Sequence, residues 1–395
     1  MKYDFEILVN RESIGNMKYI VSSQIIKEKG LISYAGAEMD FKTAPIIIEA
    51  LKKRCDNGLF GFTLADEQYI QSIIWWMETQ RNWKVDKESI VPTYGTIHSV
   101  ATAIRAFTEP GDSIIVETPG YSRYEQAATR TGRKTVYCPL IYKDNYYTID
   151  YEYLEKCMAE PRSKLMVLCN PHNPTGRVWK YEELKEIASL AKKHNVLVFS
   201  DEIFAEIVFD DNVTIPFNTI PEARDNSIVS TAIGKAFNMT GINNANMIIA
   251  NPQIRNRFIQ QRNADHFGSI DPMTHAALCA AYSVEGRNWL KEVIKYLKNN
   301  VEYIMDYFAE NIPGVNIIEP EGTFMLWIDW NNADLDVKDI DSFLLNKAYL
   351  EMDSGINYGE KGLGFTRMNI AVPKNEIIKS MNLLKNAWDD FMVRK

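Results

Sequence analysis

Three polar residues stand where runs of β-forming residues stop: Asn173 in "NPHNPTG", Asp201 in "FSDEIF" and Lys235 in "AIGKAF". Gaps of 28 and 34 residues separate them. Singly, each has a plainer role: Asn173 as a turn cap, Asp201 as a cap for a following helix, Lys235 as a surface cation. Together at one rim of a sheet they offer an amide, a carboxylate and an amine, the set that an aldehyde cofactor on a pyridine ring requires. The amine condenses with the aldehyde, the carboxylate keeps the ring nitrogen protonated so that the ring withdraws electrons, and the amide donates to the ring hydroxyl.

The surrounding elements must bring these residues together. "SIIVETPGY" (Ser113 to Tyr121), "KLMVLCN" (Lys164 to Asn170), "VLVFSDE" (Val196 to Glu202) and "SIVSTA" (Ser227 to Ala232) read as buried strands. Between the second and third lies "KYEELKEIASLAKKHN", with Leu184, Ile187, Ala188 and Ala191 on one helical face. Continuous apolar strands separated by amphipathic helices predict an α/β fold with a parallel sheet covered on both faces. Open sheets of this kind bind ligands at the carboxyl ends of their strands, where the three residues fall. After about residue 285 the pattern changes to the long helix "WLKEVIKYLKNNVEYIMDYFAENI", then "GVNIIEPEGTFMLWIDW" and a closing helix near "NEIIKSMNLLKNAWDDFM", which reads as a smaller α/β unit.

The order Asn-Pro-Thr-Gly, Asp, Lys resembles the signature of the fold-type I pyridoxal-phosphate enzymes of the class I/II aminotransferase superfamily. Within it, "AEMDFKTAP" at Ala37, "GFTLADEQY" at Gly61, "NPHNPTGRVW" at Asn170 and "GFTRMNIAVP" at Gly364 resemble the branch of MalY/PatB-type cystathionine β-lyases and cystalysin-like C-S lyases. The resemblance runs over nearly the whole chain. It implies a large cofactor-binding domain over 46–285 with a mostly parallel seven-stranded sheet, a small domain over 286–395, and an N-terminal segment, 1–45, that contributes to the small domain.

It also implies roles by position. Lys235 holds pyridoxal 5'-phosphate and acts as catalytic base, with Asp201 at the ring nitrogen, Asn173 at the ring hydroxyl and Tyr121 of "PGY" stacked on the ring. The backbone amides of Gly95, Thr96 and Ile97, at a helix start in "TYGTIHS", hold the phosphate. Arg367 of "TRMNIA" grips the substrate α-carboxylate as a planar fork, and Gly36 and Ala37 border the substrate. Apart from the resemblance, Arg123 and Tyr124, just past Tyr121, have two readings: facing the substrate side chain or lying on the surface.

Four positions depart from the branch. Phe204 stands where it has histidine and aminotransferases have tyrosine; Phe62 replaces a tyrosine that reaches the neighbouring subunit's phosphate; Gly234 replaces a serine before the lysine; Ala35 and Gly36 replace bulkier residues. Thr231 is then the nearest hydroxyl before Lys235 and is assigned to the phosphate. "KAFNMTG" is closer to aminotransferases than to lyases. The expected reaction is β-elimination of a thiol from an L-amino acid such as cystathionine or cysteine, leaving pyruvate and ammonia. Transamination to a 2-oxo acid, or a related biosynthetic reaction, is the alternative.

Composition narrows the remaining classes. A formal charge of −8 over 395 residues opposes a nucleic-acid partner. The start, "MKYDFEILVNRESIGNMKY", lacks the basic and apolar blocks of a signal peptide, and no window nears the roughly 18 apolar residues of a membrane span. Five cysteines without a CxxC pair, and five histidines without ligand spacing, give no disulfide framework and no metal site. His172 reads as a turn histidine, and "SIIWWMETQRNW" as a packing helix. The expectation is a cytoplasmic homodimer with shared active sites, acting on a small amino acid. A regulatory protein with this fold is disfavoured because no DNA-binding module fits before residue 37.

Overall fold

The four strings read as buried strands form the middle of one sheet in the computed structural model, which describes residues 3–394. The strands in chain order are β1 (Ile90–Thr93), β2 (Ser113–Thr118), β3 (Lys134–Pro139), β4 (Ile141–Lys143), β5 (Tyr146–Thr148), β6 (Ser163–Cys169), β7 (Leu197–Asp201), β8 (Ser227–Thr231), β9 (Ala245–Ile248), β10 (Asn316–Ile318), β11 (Met325–Asp329), β12 (Asp353–Ser354) and β13 (Phe365–Asn369). The large sheet has the order β1-β9-β8-β7-β6-β2-β3. Its pairs are parallel except those of β9, which runs antiparallel to both β1 and β8. Every residue of β2, β7 and β8 is buried, as a sheet covered on both faces demands.

The connecting helices explain that cover. Helix Tyr181–Lys193 buries Leu184, Ile187, Ala188 and Ala191, the expected face, and adds Leu190. Helix Glu67–Arg81, which carries most of the aromatic-rich string, buries Tyr69, Ile73, Trp76 and Met77, and the Trp76 ring stacks on Tyr282 at 4.6 Å. A second, antiparallel sheet has the order β10-β11-β13-β12. Two C-terminal helices, Val284–Asn311 and Lys374–Arg394, pack together there. The segment before residue 45 is stitched to this sheet: Asn369 N donates to Tyr34 O at 2.9 Å, and Asn369 Nδ2 to Gly36 O at 3.1 Å and Glu38 O at 2.7 Å. Gly36 and Ala37 are thereby fixed beside β13.

No helix among the described residues is long and apolar enough to cross a membrane. All five cysteines are free thiols.

One buried group is at odds with its surroundings. Glu117 in β2 lies in the interior, neither carboxylate oxygen has a hydrogen-bond partner among the described residues, and His172 Nε2 is 3.7 Å away. Burial raises its pKa from 4.5 to about 8. The folded state therefore keeps a proton that the unfolded chain releases, so this residue's contribution to stability is lost as pH rises from 4.5 through about 8. Glu117→Gln is expected to raise the unfolding free energy at pH 8 by about 2–4 kcal/mol and to leave it little changed at pH 4. Denaturant titrations of both proteins at the two pH values check this; an equal effect at both would refute it.

Candidate active site

The carboxyl ends of β1, β2, β6, β7 and β8 open into one cavity of about 1110 Å³, closed on the far side by residues 35–38 and by β12 and β13. Gly95, Thr96, Ile97, Tyr121, Asn173, Asp201, Lys235, Gly36, Ala37 and Arg367 all line it. Residues more than 300 positions apart in sequence thus face one space.

Lys235 follows β8, and its Nζ donates to Ala37 O at 2.9 Å. Burial, with Arg367 nearby, lowers its pKa to about 8, so the neutral, nucleophilic amine is far more accessible near neutrality than for an ordinary lysine. Asp201 ends β7, and its backbone is held at both sides: Asn170 N donates to Asp201 O at 2.9 Å, and Glu202 N to Ser230 O at 3.1 Å. The adjacent Glu202 is pinned by an ion pair with Arg81 and by Phe217 N at 2.8 Å. The Asp201 carboxylate accepts from Tyr124 Oη at 2.7 Å and from Ile203 N at 3.2 Å. Burial raises its pKa to about 6, so it is an anion at neutral pH with few competing partners.

Arg367 lies in β13 and is buried. Its Nη1 donates to Asn173 Oδ1 at 2.9 Å, its Nε to Asp353 Oδ2 at 3.0 Å, and its Nη2 also pairs with Asp353. Tyr358 lies against the guanidinium, 5.0 Å from ring centroid to Cζ. The same Asp353 oxygen accepts from Gly36 N at 3.0 Å, tying the N-terminal segment to the arginine. Two guanidinium N–H groups remain for an incoming carboxylate.

At the other end of the cavity, Gly95 caps the twelve-residue helix Thr96–Phe107 without a side-chain hydrogen bond to its first turn. The first backbone N–H groups are left for an anion, reinforced by the helix dipole. Tyr121 stands at the cavity wall, edge-on to Tyr124 at 5.6 Å. An uncapped helix start, a buried carboxylate and a lysine of lowered pKa suit the phosphate, ring nitrogen and aldehyde of the cofactor expected from the sequence.

Other expectations need correction. Thr231 does not line the cavity; its hydroxyl donates to Asn246 O at 3.3 Å. The hydroxyl on the other face of β8, Ser230 Oγ, is the one near the helix start, 3.0 Å from Thr96 Oγ1. Tyr124 is buried rather than on the surface; it lines the cavity, and its hydroxyl serves Asp201. Arg123 is exposed at the cavity wall and bonds Gln126 at 3.0 Å. His172 is buried outside the lining, its Nδ1 2.8 Å from Thr175 Oγ1, in keeping with a turn residue. Phe204 packs edge-on against Phe324, 5.8 Å from Lys235 Nζ to its centroid. A Cβ at Gly234 would meet nothing nearer than 3.5 Å, so the serine common at that position would fit.

Asp353 and Ser230 were missed. Asp353 gave no signal of motif or spacing; it meets Arg367 because β12 pairs antiparallel with β13, Asp353 opposite Arg367.

The sequence profile described as aminotransferase class I and II matches residues 33–379. The chain belongs to this family. Within the class I and II aminotransferases, it is 34% identical over 334 residues to the cystathionine beta-lyase PatB of Bacillus subtilis, covering 84% of this chain and 86% of that protein. It is 30% identical over 387 residues to the protein MalY of Escherichia coli, covering 98% of each. Among solved structures, cystalysin from Treponema denticola, which contains a pyridoxal 5'-phosphate cofactor, superposes with a TM-score of 0.94 at 34% identity, over 99% of this chain and 100% of that one. The family's fold-type I architecture is therefore the fold of this chain.

Proposed function

We propose that this protein is a pyridoxal 5'-phosphate-dependent carbon–sulfur lyase that eliminates a thiol from the β-carbon of an L-amino acid, of the cystathionine or cysteine kind, leaving pyruvate and ammonia. The observation that carries it is the convergence of Lys235, Asp201, Asn173 and Arg367 on one cavity beside an uncapped helix start. The names of PatB and cystalysin, and the length over which they match, support the choice of reaction.

When bound, the cofactor supplies an electron sink at the substrate's α-carbon. Lys235 would hold it through the amine, and its Nζ would take the substrate's α-proton; the lowered pKa suits a base working near neutrality. Asp201 would hold the ring nitrogen and keep it protonated, and Tyr124 fixes the orientation of that carboxylate. Asn173 accepts from Arg367 and would donate to the ring hydroxyl, so one residue would register cofactor against substrate. Arg367 binds the α-carboxylate, and Asp353 sets its plane. Gly95, Thr96 and Ile97 would hold the phosphate by backbone N–H groups, with Ser230 supporting Thr96.

The working unit we propose is a cytoplasmic homodimer with shared sites. Leu59, Phe60, Phe62 and Leu64 form one exposed apolar stretch, with Phe62 fully open to solvent, and a second copy of the chain is the occupant the reading assigns to it.

The test is purified holoenzyme given L-cystathionine or L-cysteine, with pyruvate and ammonia assayed with and without a 2-oxo acid. Pyruvate without an acceptor is expected. Its absence, with a new amino acid formed only when the oxo acid is present, would move the reaction to transamination.

A further inference from the structure

A second chemical constellation lies apart from the cavity. Cys279 and His275 sit one turn apart on the helix Pro272–Ala281, and Cys279 Sγ is 4.0 Å from His275 Nδ1. The other ring nitrogen, Nε2, is 2.9 Å from Asp66 Oδ1. Asp66 is itself fixed: it is the N-cap of helix Glu67–Arg81, and the same oxygen accepts from Tyr69 N at 3.0 Å. The Tyr69 ring flanks the imidazole at 5.8 Å. None of the three residues lines the cavity, and the proposed elimination uses none of them.

The order is nucleophile, base, orienting carboxylate. Asp66 accepts from Nε2–H, which leaves Nδ1 to take the thiol proton. We propose that Cys279 is a reactive thiol, activated by His275 and oriented through Asp66, that undergoes thiol–disulfide exchange with small disulfides.

In that exchange the Cys279 proton passes to His275 Nδ1, and the thiolate attacks one sulfur of the disulfide. The S–S bond breaks as the Cys279 mixed disulfide forms, and the departing thiolate takes the proton from His275. Cys279 is oxidised and the small disulfide is reduced to one thiol, so no further reagent is needed. The bond to Cys279 and the Asp66 carboxylate raise the pKa of His275 to about 9, so the ring holds the proton it has taken until the departing thiolate claims it.

The other cysteines provide the comparison. Cys138, Cys157 and Cys169 are buried, while Cys55 is more exposed than the half-buried Cys279. Accessibility alone ranks Cys55 first; the constellation ranks Cys279 first.

The experiment treats native holoenzyme with a pyridyl disulfide, follows the released thione by absorbance, and maps the labelled cysteine by peptide mass spectrometry. Cys279 is expected to react faster than Cys55 by about tenfold or more. His275→Gln should bring Cys279 down to the Cys55 rate or below, and Asp66→Asn should produce a smaller loss. Cys55 in the same molecules should keep its rate, which marks the variants as folded. If His275→Gln disturbs Cys55 as well, the wild-type ratio and Asp66→Asn decide. A Cys279 rate no higher than that of Cys55, or a fast rate that survives in a folded His275→Gln variant, overturns the proposal.

Discussion

Lys235→Ala is expected to abolish turnover, lowering kcat by at least about four orders of magnitude, because one substitution removes both the proposed covalent anchor and the proposed base. The side chain reaches Ala37 O and lies near the Phe204 ring, at the cavity rather than in the core, so the fold should survive. Lys235→Arg separates charge from nucleophilicity: it keeps a cation but offers no amine to the aldehyde. Both variants should lose the cofactor on gel filtration after borohydride treatment, whereas the wild type keeps it through a reduced bond. The wild-type amine has its pKa lowered to about 8, so covalent capture of cofactor by the cofactor-free protein should slow as pH falls below that value. An active Lys235→Ala enzyme would remove the lysine from the proposed chemistry.

The second large effect belongs to Asp201. Asp201→Asn keeps the shape and still accepts from Tyr124, but it removes the charge proposed to hold a proton on the ring nitrogen. A fall in kcat on the order of 10²–10⁴-fold is expected, with a much smaller change in KM. pH gives an independent readout. In the cofactor-free protein Asp201 ionises near 6, so cofactor affinity should weaken as pH falls through 6 in the wild type and lose that dependence in Asp201→Asn. Equal pH dependence in both proteins would assign the limb to another group.

Much of this arrangement was legible in the sequence because the sheet is parallel. A parallel strand needs a crossover helix, and the switch from apolar run to amphipathic period is visible in "KLMVLCN" followed by "KYEELKEIASLAKKHN". The same topology sends the carboxyl ends of β6, β7 and β8 to one edge, so Asn173, Asp201 and Lys235 could be grouped without coordinates.

Which face a residue takes was not legible within those strands. β8 is buried on both sides, so its period-two pattern carries no contrast between faces, and Ser230 and Thr231 are equivalent in sequence. The fold sends Ser230 to Thr96 and Thr231 to Asn246. The sequence by itself determined the order of elements and the chemical types at the strand ends, because local periodicity and connection rules encode both. Only the tertiary structure decided the partners of those groups: Tyr124 on Asp201, Asp353 on Arg367, and Asp66 on His275. Each pair joins side chains 14 to 209 residues apart, and contacts at such separations are set by strand register and helix packing, which no local window of sequence contains.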